Sequence, residues 1–100
     1  MNVTGKQRAY LRKLANGIEP VFQIGKGGIT DVIIEQLGLA LDARELIKVH
    51  ILETALLDTK ETCNLIAARL DAVPVQAIGS KFVLYKQSSK EKKSQNRNPK

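Results

Sequence analysis

The sequence predicts an α/β protein in which helices cover a four-stranded mixed sheet. The chain has 100 residues, 43% of them hydrophobic, which suits a single domain with one modest core. Its apolar residues change repeatedly between helical and strand spacing, and glycine, proline and capping residues separate the segments. The predicted elements follow in the order α-β-α-β-α-β-β, and each β-α-β passage should be a right-handed crossover.

The first helix is predicted over about residues 5–15, with Thr4 as its N-cap. Asn16 and Gly17 should end it, because both residue types tolerate the left-handed conformation of a C-cap. One arc of the helix is apolar, and it consists of Tyr10, Leu11, Leu14 and Ala15. The remaining arc is basic, and it consists of Lys6, Arg8, Arg12 and Lys13.

A short apolar segment after Glu19-Pro20 predicts the first strand, residues 21–24. The second helix, about residues 31–42, begins after a glycine-rich segment, with Thr30 as its N-cap. Its apolar face consists of Ile33, Ile34, Leu37, Ala40 and Leu41. The opposite face consists of Asp31, Glu35, Gly38 and Asp42, a solvated helix surface rather than an acid–base pair.

The second strand is predicted from Glu45 to Leu52, because apolar residues alternate along it. Asp58 or Thr59 caps a third helix that extends to about Leu70. Its apolar face consists of Cys63, Ile66, Ala67 and Leu70, so we expect a buried thiol rather than a reactive one. Val73-Pro74 should end this helix.

The chain is predicted to close with a hairpin of two strands, residues 75–78 and 81–86, joined by Gly79-Ser80 in a type II′ turn. Residues 87–100 contain no apolar side chain, so burial cannot offset the entropy cost of ordering them. We therefore predict a domain over residues 1–86 and a basic disordered tail over residues 87–100.

Positive charge is concentrated at both ends of the chain, whose formal net charge is +6. Residues 1–28 carry five basic and one acidic side chain, residues 29–85 five and eight, and residues 86–100 six and one. Two separate basic blocks favour binding to a polyanion, although basic ends can also serve solubility alone.

Several functional classes are disfavoured by composition. A single Cys excludes an internal disulfide, and one Cys with one His makes a metal site unexpected. His50 has no second ligand or nucleophile near it in sequence, so we do not expect it to be catalytic. The sequence contains neither an apolar run long enough to span a membrane nor an apolar signal core, so we expect a cytoplasmic protein.

The most informative motif is Gly25-Lys26-Gly27-Gly28, which lies between a predicted strand and a predicted helix. Glycine allows a sharp turn and close approach of a ligand, and the helix N-terminus and the lysine both attract phosphate. The spacing matches neither a P-loop nor a dinucleotide fingerprint, because Thr30 stands where the latter needs glycine. It does match GxxG, the loop with which KH modules clamp a nucleic-acid backbone, although an ordinary turn is the alternative.

Five segments, in order, resemble one family: residues 11–15, 21–30, 45–49, 75–79 and 84–86. Together they resemble a stand-alone CRM domain, the RNA-binding family that includes the bacterial YhbY-type proteins, over about residues 3–86. Two positions depart from the family pattern. Arg44 stands where the family often has His, and Lys86 where it often has Arg, so position 44 has no imidazole and position 86 no guanidinium fork.

The resemblance implies RNA binding without catalysis, and a fold similar to the C-terminal domain of translation initiation factor 3. Bacterial single-domain relatives are linked to large ribosomal subunit assembly, and plant relatives to intron splicing. We therefore expect a monomer that binds ribosomal RNA or pre-50S particles and needs no cofactor or metal. The predicted RNA-binding residues are Lys6, Arg8, Arg12, Lys13, Gly25, Lys26, Gly27, Gly28 and Lys48.

Two other functions remain open at this point. The glycine-rich loop could serve as the anion site of a small enzyme that binds a phosphorylated metabolite, although no nucleophile, metal cluster or acid–base pair accompanies it. Alternatively, the protein could be an adaptor that binds only proteins, with solubilising basic ends.

Overall fold

A computed structural model of the protein describes residues 4–87, so the predicted tail lies outside the described residues except for Gln87. Three helices and four strands follow one another along the chain: α1 (Gly5–Ala15), β1 (Pro20–Ile24), α2 (Asp31–Arg44), β2 (Leu46–Ile51), α3 (Thr59–Leu70), β3 (Val73–Ile78) and β4 (Lys81–Tyr85). A single 3-10 turn, Glu53–Ala55, lies between β2 and α3.

The four strands form one mixed sheet in the order β1-β2-β4-β3. β1 and β2 are parallel, with Ile24 opposite Ile51, whereas β4 is antiparallel to both of its neighbours. The predicted four-stranded mixed sheet is thus confirmed. The hairpin turn is Gly79-Ser80, and of these two residues only Gly79 has a positive φ, as a type II′ turn requires.

β3 begins two residues earlier than the sequence predicts. Val73-Pro74 was expected only to end α3, but both residues belong to the strand. Proline is tolerated there because β3 pairs with β4 alone, and an edge strand does not need every N–H group for the sheet. A register shift between Pro74 and Gln76 accompanies the proline.

The main core lies between one face of the sheet and the helices α2 and α3. Burial confirms the predicted apolar faces of both helices, since Ile34, Leu37 and Leu41 pack with Cys63 and with the inward residues of the strands. Gly38 is a correction, because it is half-buried and a Cβ there would lie 3.4 Å from the Leu70 Cδ2 atom. Because Gly38 has no side chain, α2 and α3 can approach each other closely.

α1 packs on the opposite face of the sheet. Leu11 and Ala15 form a second, smaller cluster with Val75 and Val83. The other two members of the predicted apolar arc are exposed, Tyr10 by 62% and Leu14 by 44%, because α1 contacts only a small part of the sheet. Only part of the apolar arc of α1 is therefore buried against the sheet.

The helix ends show which predicted caps form. Thr4 and Gln7 make a reciprocal capping box at α1, and the hydroxyl of Thr30 accepts the Ile33 N–H group at α2. Of the two candidates for α3, the cap is Asp58, whose carboxylate accepts the Glu61 N–H group. α1 ends at the predicted place but for a different reason. Asn16 has right-handed helical dihedrals, and the Gly17 N–H group instead donates to the Leu14 carbonyl in a tightened last turn.

Candidate nucleic-acid interface

The glycine-rich loop forms a tight turn between β1 and α2. The Gly28 N–H group donates to the Gly25 carbonyl at 2.9 Å, so Lys26 and Gly27 occupy the tip. Both tip residues are exposed. Gly28 is the residue that needs to be glycine, because its φ is +71°, whereas a Cβ at Gly27 would meet nothing within 4 Å. The tip can therefore accept side chains, while the base of the turn cannot without strain.

The loop is attached to the end of the sheet through β2. The Leu52 N–H group donates to the Ile24 carbonyl at 2.8 Å, immediately before Gly25. A Cβ at Gly25 would lie 3.5 Å from the Leu52 Cδ1 atom, which is ordinary contact. These interactions place the lysine at the end of the sheet where β1 and β2 both finish.

The basic residues of α1 lie near the other end of the same sheet. Lys6, Arg12 and Lys13 are exposed, whereas Arg8 is half-buried and its guanidinium donates to the Pro74 carbonyl on β3. Arg8 therefore helps to attach the helix to the edge strand. Its role in RNA binding stays a prediction, as do the roles of the other predicted site residues.

The two flanks of α1 face in different directions along the sheet. Tyr10 and Leu14 line a recess with Glu45 and Tyr85, at the end of the sheet where β2 begins. At about 100° per residue, Arg8 and Arg12 lie on the opposite flank of the helix. On this flank Arg8 reaches the Pro74 carbonyl on the edge strand β3.

The sheet face between α1 and the loop carries further cationic side chains. Ile47, Val49 and Ile51 point into the main core, so Lys48 and His50 point to the face on which α1 packs. On β4 the same alternation places Lys81 on this face, directly opposite His50. β2 rises about 3.3 Å per residue, so this face extends for about 17 Å from the α1 end to the loop. We call Lys48 and Lys81 the sheet-face cations.

Lys81 and His50 are residues that the sequence reasoning missed. The signal for Lys81 was the alternation in Lys81-Phe82-Val83-Leu84, which shows that Lys81 and Val83 share one face. That signal is useful only if β4 is known to lie beside β2. The sequence does not show this, because these two strands are neighbours in the sheet but not along the chain. His50 was considered only as a catalytic residue, a role for which it has no partner in sequence.

Cys63 has the properties of a core residue. Its side chain is 2% exposed, and burial raises the pKa of the thiol to about 11, so it is protonated at neutral pH. This confirms the predicted buried cysteine and gives no support to a nucleophilic role. Among residues 4–87, no group of three His, Cys, Asp or Glu side chains could hold a metal ion. No helix in this range is long and apolar enough to cross a membrane.

Lys86, one of the two departures from the family pattern, has a structural contact. Its Nζ atom donates to the Leu70 carbonyl at 2.8 Å, at the C-terminal end of α3, and its N–H group donates to the Glu45 carbonyl. A lysine satisfies one of the last carbonyls of the helix here, as cations at helix C-termini commonly do. This contact does not require a guanidinium group.

A model of the CRS1 / YhbY (CRM) domain matches residues 3–86 of the chain. The chain belongs to this family. A relative from Bacillus subtilis (strain 168), named Probable RNA-binding protein YqeI, is 42% identical over 90 residues, which are 90% of this chain and 94% of that protein. A Haemophilus influenzae protein named RNA-binding protein is 36% identical, over 87% of this chain and 88% of its own length.

A solved structure has a similar fold. The solution structure of SAV1595 from Staphylococcus aureus, described as a candidate RNA-binding protein, superposes with a TM-score of 0.74 at 47% identity. The match covers 87% of this chain and 91% of that one. The family resemblance predicted from the five sequence segments is thereby confirmed.

Proposed function

We propose that this CRM-domain protein binds RNA through the side of the sheet on which α1 packs. The observation that carries this proposal is the distribution of charge over that side. α1 has four basic and no acidic residues, the sheet-face cations lie beside it, and the loop with Lys26 stands at the far end. The names of the YqeI and Haemophilus influenzae relatives support RNA as the polyanion.

The chemistry of this surface suits a phosphate backbone. Lysine and arginine side chains neutralise phosphates and release counterions, while the exposed tip of the loop allows close approach to its main-chain N–H groups. Phosphate contacts position an RNA without reading its bases, so binding is driven by charge and shape, with weak sequence selectivity. No catalytic step is part of this proposal.

The finer proposal is that the RNA is ribosomal, and that the protein assists large-subunit assembly as a cytoplasmic monomer. It is supported by the CRM-domain membership of the chain and by the role to which the resemblance links bacterial single-domain members. The similarity to the C-terminal domain of translation initiation factor 3 stays a prediction from the same resemblance.

Sedimentation at moderate salt tests both levels of the proposal. The full chain is mixed with ribosomal RNA, with precursor large-subunit particles, or with transfer RNA of similar total phosphate concentration. We expect cosedimentation with the precursor particles and with ribosomal RNA. Equal retention by transfer RNA would reject the ribosomal assignment and keep RNA binding, whereas retention by none of the three would reject RNA binding.

A further inference from the structure

A cavity of about 540 Å³ opens beside the glycine-rich loop, at the end of the sheet where β2 finishes. This volume lies within the range of small-molecule and cofactor sites, roughly 300–1,000 Å³. Its lining combines an imidazole, apolar side chains, a carboxylate and backbone, contributed chiefly by His50, Leu52, Glu53, Leu56, Thr59 and Ser80. Of these residues, only His50 lies on the sheet face that is proposed to bind RNA.

The walls of this cavity are fixed by hydrogen bonds. The Ile51 N–H group donates to the Ser80 carbonyl at 2.7 Å, which joins the end of β2 to the hairpin turn. The Thr59 hydroxyl donates to the Gly79 carbonyl at 2.7 Å, which joins the start of α3 to the same turn. These bonds hold the end of β2, the hairpin turn and the start of α3 together around the cavity.

Leu56 is the unusual member of the lining. It is 90% exposed, and its φ of 55° and ψ of 40° put a bulky non-glycine residue in the left-handed region. A large apolar side chain that is exposed in this conformation does not stabilise the fold by burial. Strained residues are concentrated at ligand sites. Leu56 therefore has apolar surface that a ligand can cover.

The charges around the cavity indicate the chemistry of that ligand. Lys81 lies directly opposite His50 across the β2–β4 pair, and Leu52 joins the cavity to the loop that carries Lys26. Cationic side chains thus lie near the cavity, but none of them lines it. Inside, Glu53 disfavours a phosphate, but a carboxylate can accept hydrogen bonds from the amino group of a base. An anionic backbone with a flat, apolar, hydrogen-bonding base fits both requirements.

We propose that this cavity receives one unpaired nucleobase of the bound RNA, between the His50 imidazole and Leu56. The inference rests on the proposed RNA binding and names its substrate class, an RNA with a bulged or looped-out nucleotide rather than a continuous duplex. Histidine stacks on bases, and unpaired bases are the parts of RNA that proteins reach most readily.

The test compares a duplex RNA with the same duplex carrying one bulged adenosine. A stacked base strengthens binding, so the wild-type protein should bind the bulged RNA about five-fold tighter or more. Leu56→Ala should bind both RNAs equally, with duplex affinity unchanged. Leu39→Ala is the matched control, because Leu39 is 62% exposed on α2 and lies outside the cavity, so the preference should persist.

A second readout follows the base itself. A fluorescent adenine analogue at the bulge should change its emission on binding the wild-type protein and Leu39→Ala, and should not change with Leu56→Ala. Melting curves establish that both variants fold. Retention of the preference for the bulged RNA by Leu56→Ala would overturn the proposal. That result is the one expected if another occupant, such as a protein, used the cavity.

Failure of this inference can be told apart from failure of the proposed function. Equal binding of both RNAs by the wild-type protein overturns the base site, while RNA binding stands if substitutions in the loop still abolish it. If substitutions in the loop leave binding of both RNAs unchanged, the proposed surface and the base site are overturned together.

Discussion

The two faces of the sheet differ in both charge and burial. The face under α2 and α3 contains the main core, and those helices carry four acidic and three basic residues. The face under α1 contains a small cluster centred on Leu11 and Ala15, and α1 carries four basic residues and no acidic one. Hydrophobic burial is the dominant favourable term in folding, so most of the stability comes from the first face.

This division explains how a small domain can carry an unbalanced basic surface. Like charges on α1 repel one another, which disfavours the compact state. The helix is nevertheless anchored by Leu11, Ala15 and the Arg8 contact with the Pro74 carbonyl, while the main core on the other side does not depend on it. One face contains the main core, and the other is the face proposed to bind RNA.

The strongest test of this comparison is charge reversal at the tip of the loop. Lys26→Asp with Gly27→Asp should weaken RNA binding by about a hundred-fold or more, because one phosphate-binding charge is lost and two repulsive charges are added. Folding should be nearly unaffected, since both positions are exposed and Gly27 does not need a positive φ. RNA affinity and a melting curve are measured for the double variant.

The matched control for the loop is placed on the opposite face. Lys60→Asp with Gln36→Asp makes the same change in charge at exposed positions of α3 and α2. We expect less than a three-fold effect on RNA affinity. Similar losses in the two double variants would show that net charge, and not the loop, determines binding.

The second prediction concerns the stabilising face and its dependence on pH. The thiol of Cys63 has a pKa of about 11 in the folded protein, raised from 9.0 by burial. Between these values the unfolded chain releases the proton while the folded protein keeps it, so the free energy of unfolding falls as the pH rises. This loss of stability is absent below about pH 9 and reaches about 2–3 kcal/mol above about pH 11.

Cys63→Ala isolates this effect, because lysine and tyrosine titrate in both proteins. Urea unfolding near pH 8 and near pH 10 should show a smaller loss of stability at the higher pH for the variant. RNA affinity at neutral pH should be the same in both proteins. An identical pH dependence of the two proteins would contradict the role assigned to the buried thiol.

The third prediction compares the two faces through their helices. Arg12→Glu with Lys13→Glu reverses two exposed charges on α1, and Lys60→Glu with Arg69→Glu reverses two on α3. The α1 variant should bind RNA about ten-fold more weakly. We expect a log–log salt slope of roughly −3 to −5 for the wild-type protein and about two units shallower for the α1 variant.

The α3 variant should keep nearly the wild-type affinity and salt slope. Arg69 does pair with Asp31 at 3.5 Å, but both side chains are at least half exposed, so the pair contributes little to stability. A salt slope that is flat for the wild-type protein, or equally reduced in both variants, would remove the distinction between the faces.

The elements of this fold were largely predictable because each has a strong local signal. The alternation in β2, the caps Thr4 and Thr30, and the hairpin turn with Gly79 are all properties of neighbouring residues. The predicted start of β3 was wrong because a proline was taken as a break, and whether proline is tolerated depends on whether the strand lies at an edge.

The proposed interface was less predictable because it is assembled from separate segments. Sequence reasoning predicted the α1 basic residues and the loop as site residues, but it could not show that Lys81 would lie opposite His50. It also could not show which glycine of the loop has the positive φ, which is Gly28. Both facts depend on pairing and on backbone dihedrals that residue types alone do not determine.

The smallest effect is expected from removal of the residues beyond Gln87. They carry five basic and one acidic side chain and no apolar one, so the melting temperature should not change measurably. RNA affinity should fall by about two- to three-fold at moderate salt, since diffuse charge adds weak, screened attraction. In the shortened protein the ten-fold difference between the α1 and α3 variants should persist. Its disappearance would mean that the tail, rather than the α1 face, binds the RNA, and a lower melting temperature would mean that the tail packs on the domain.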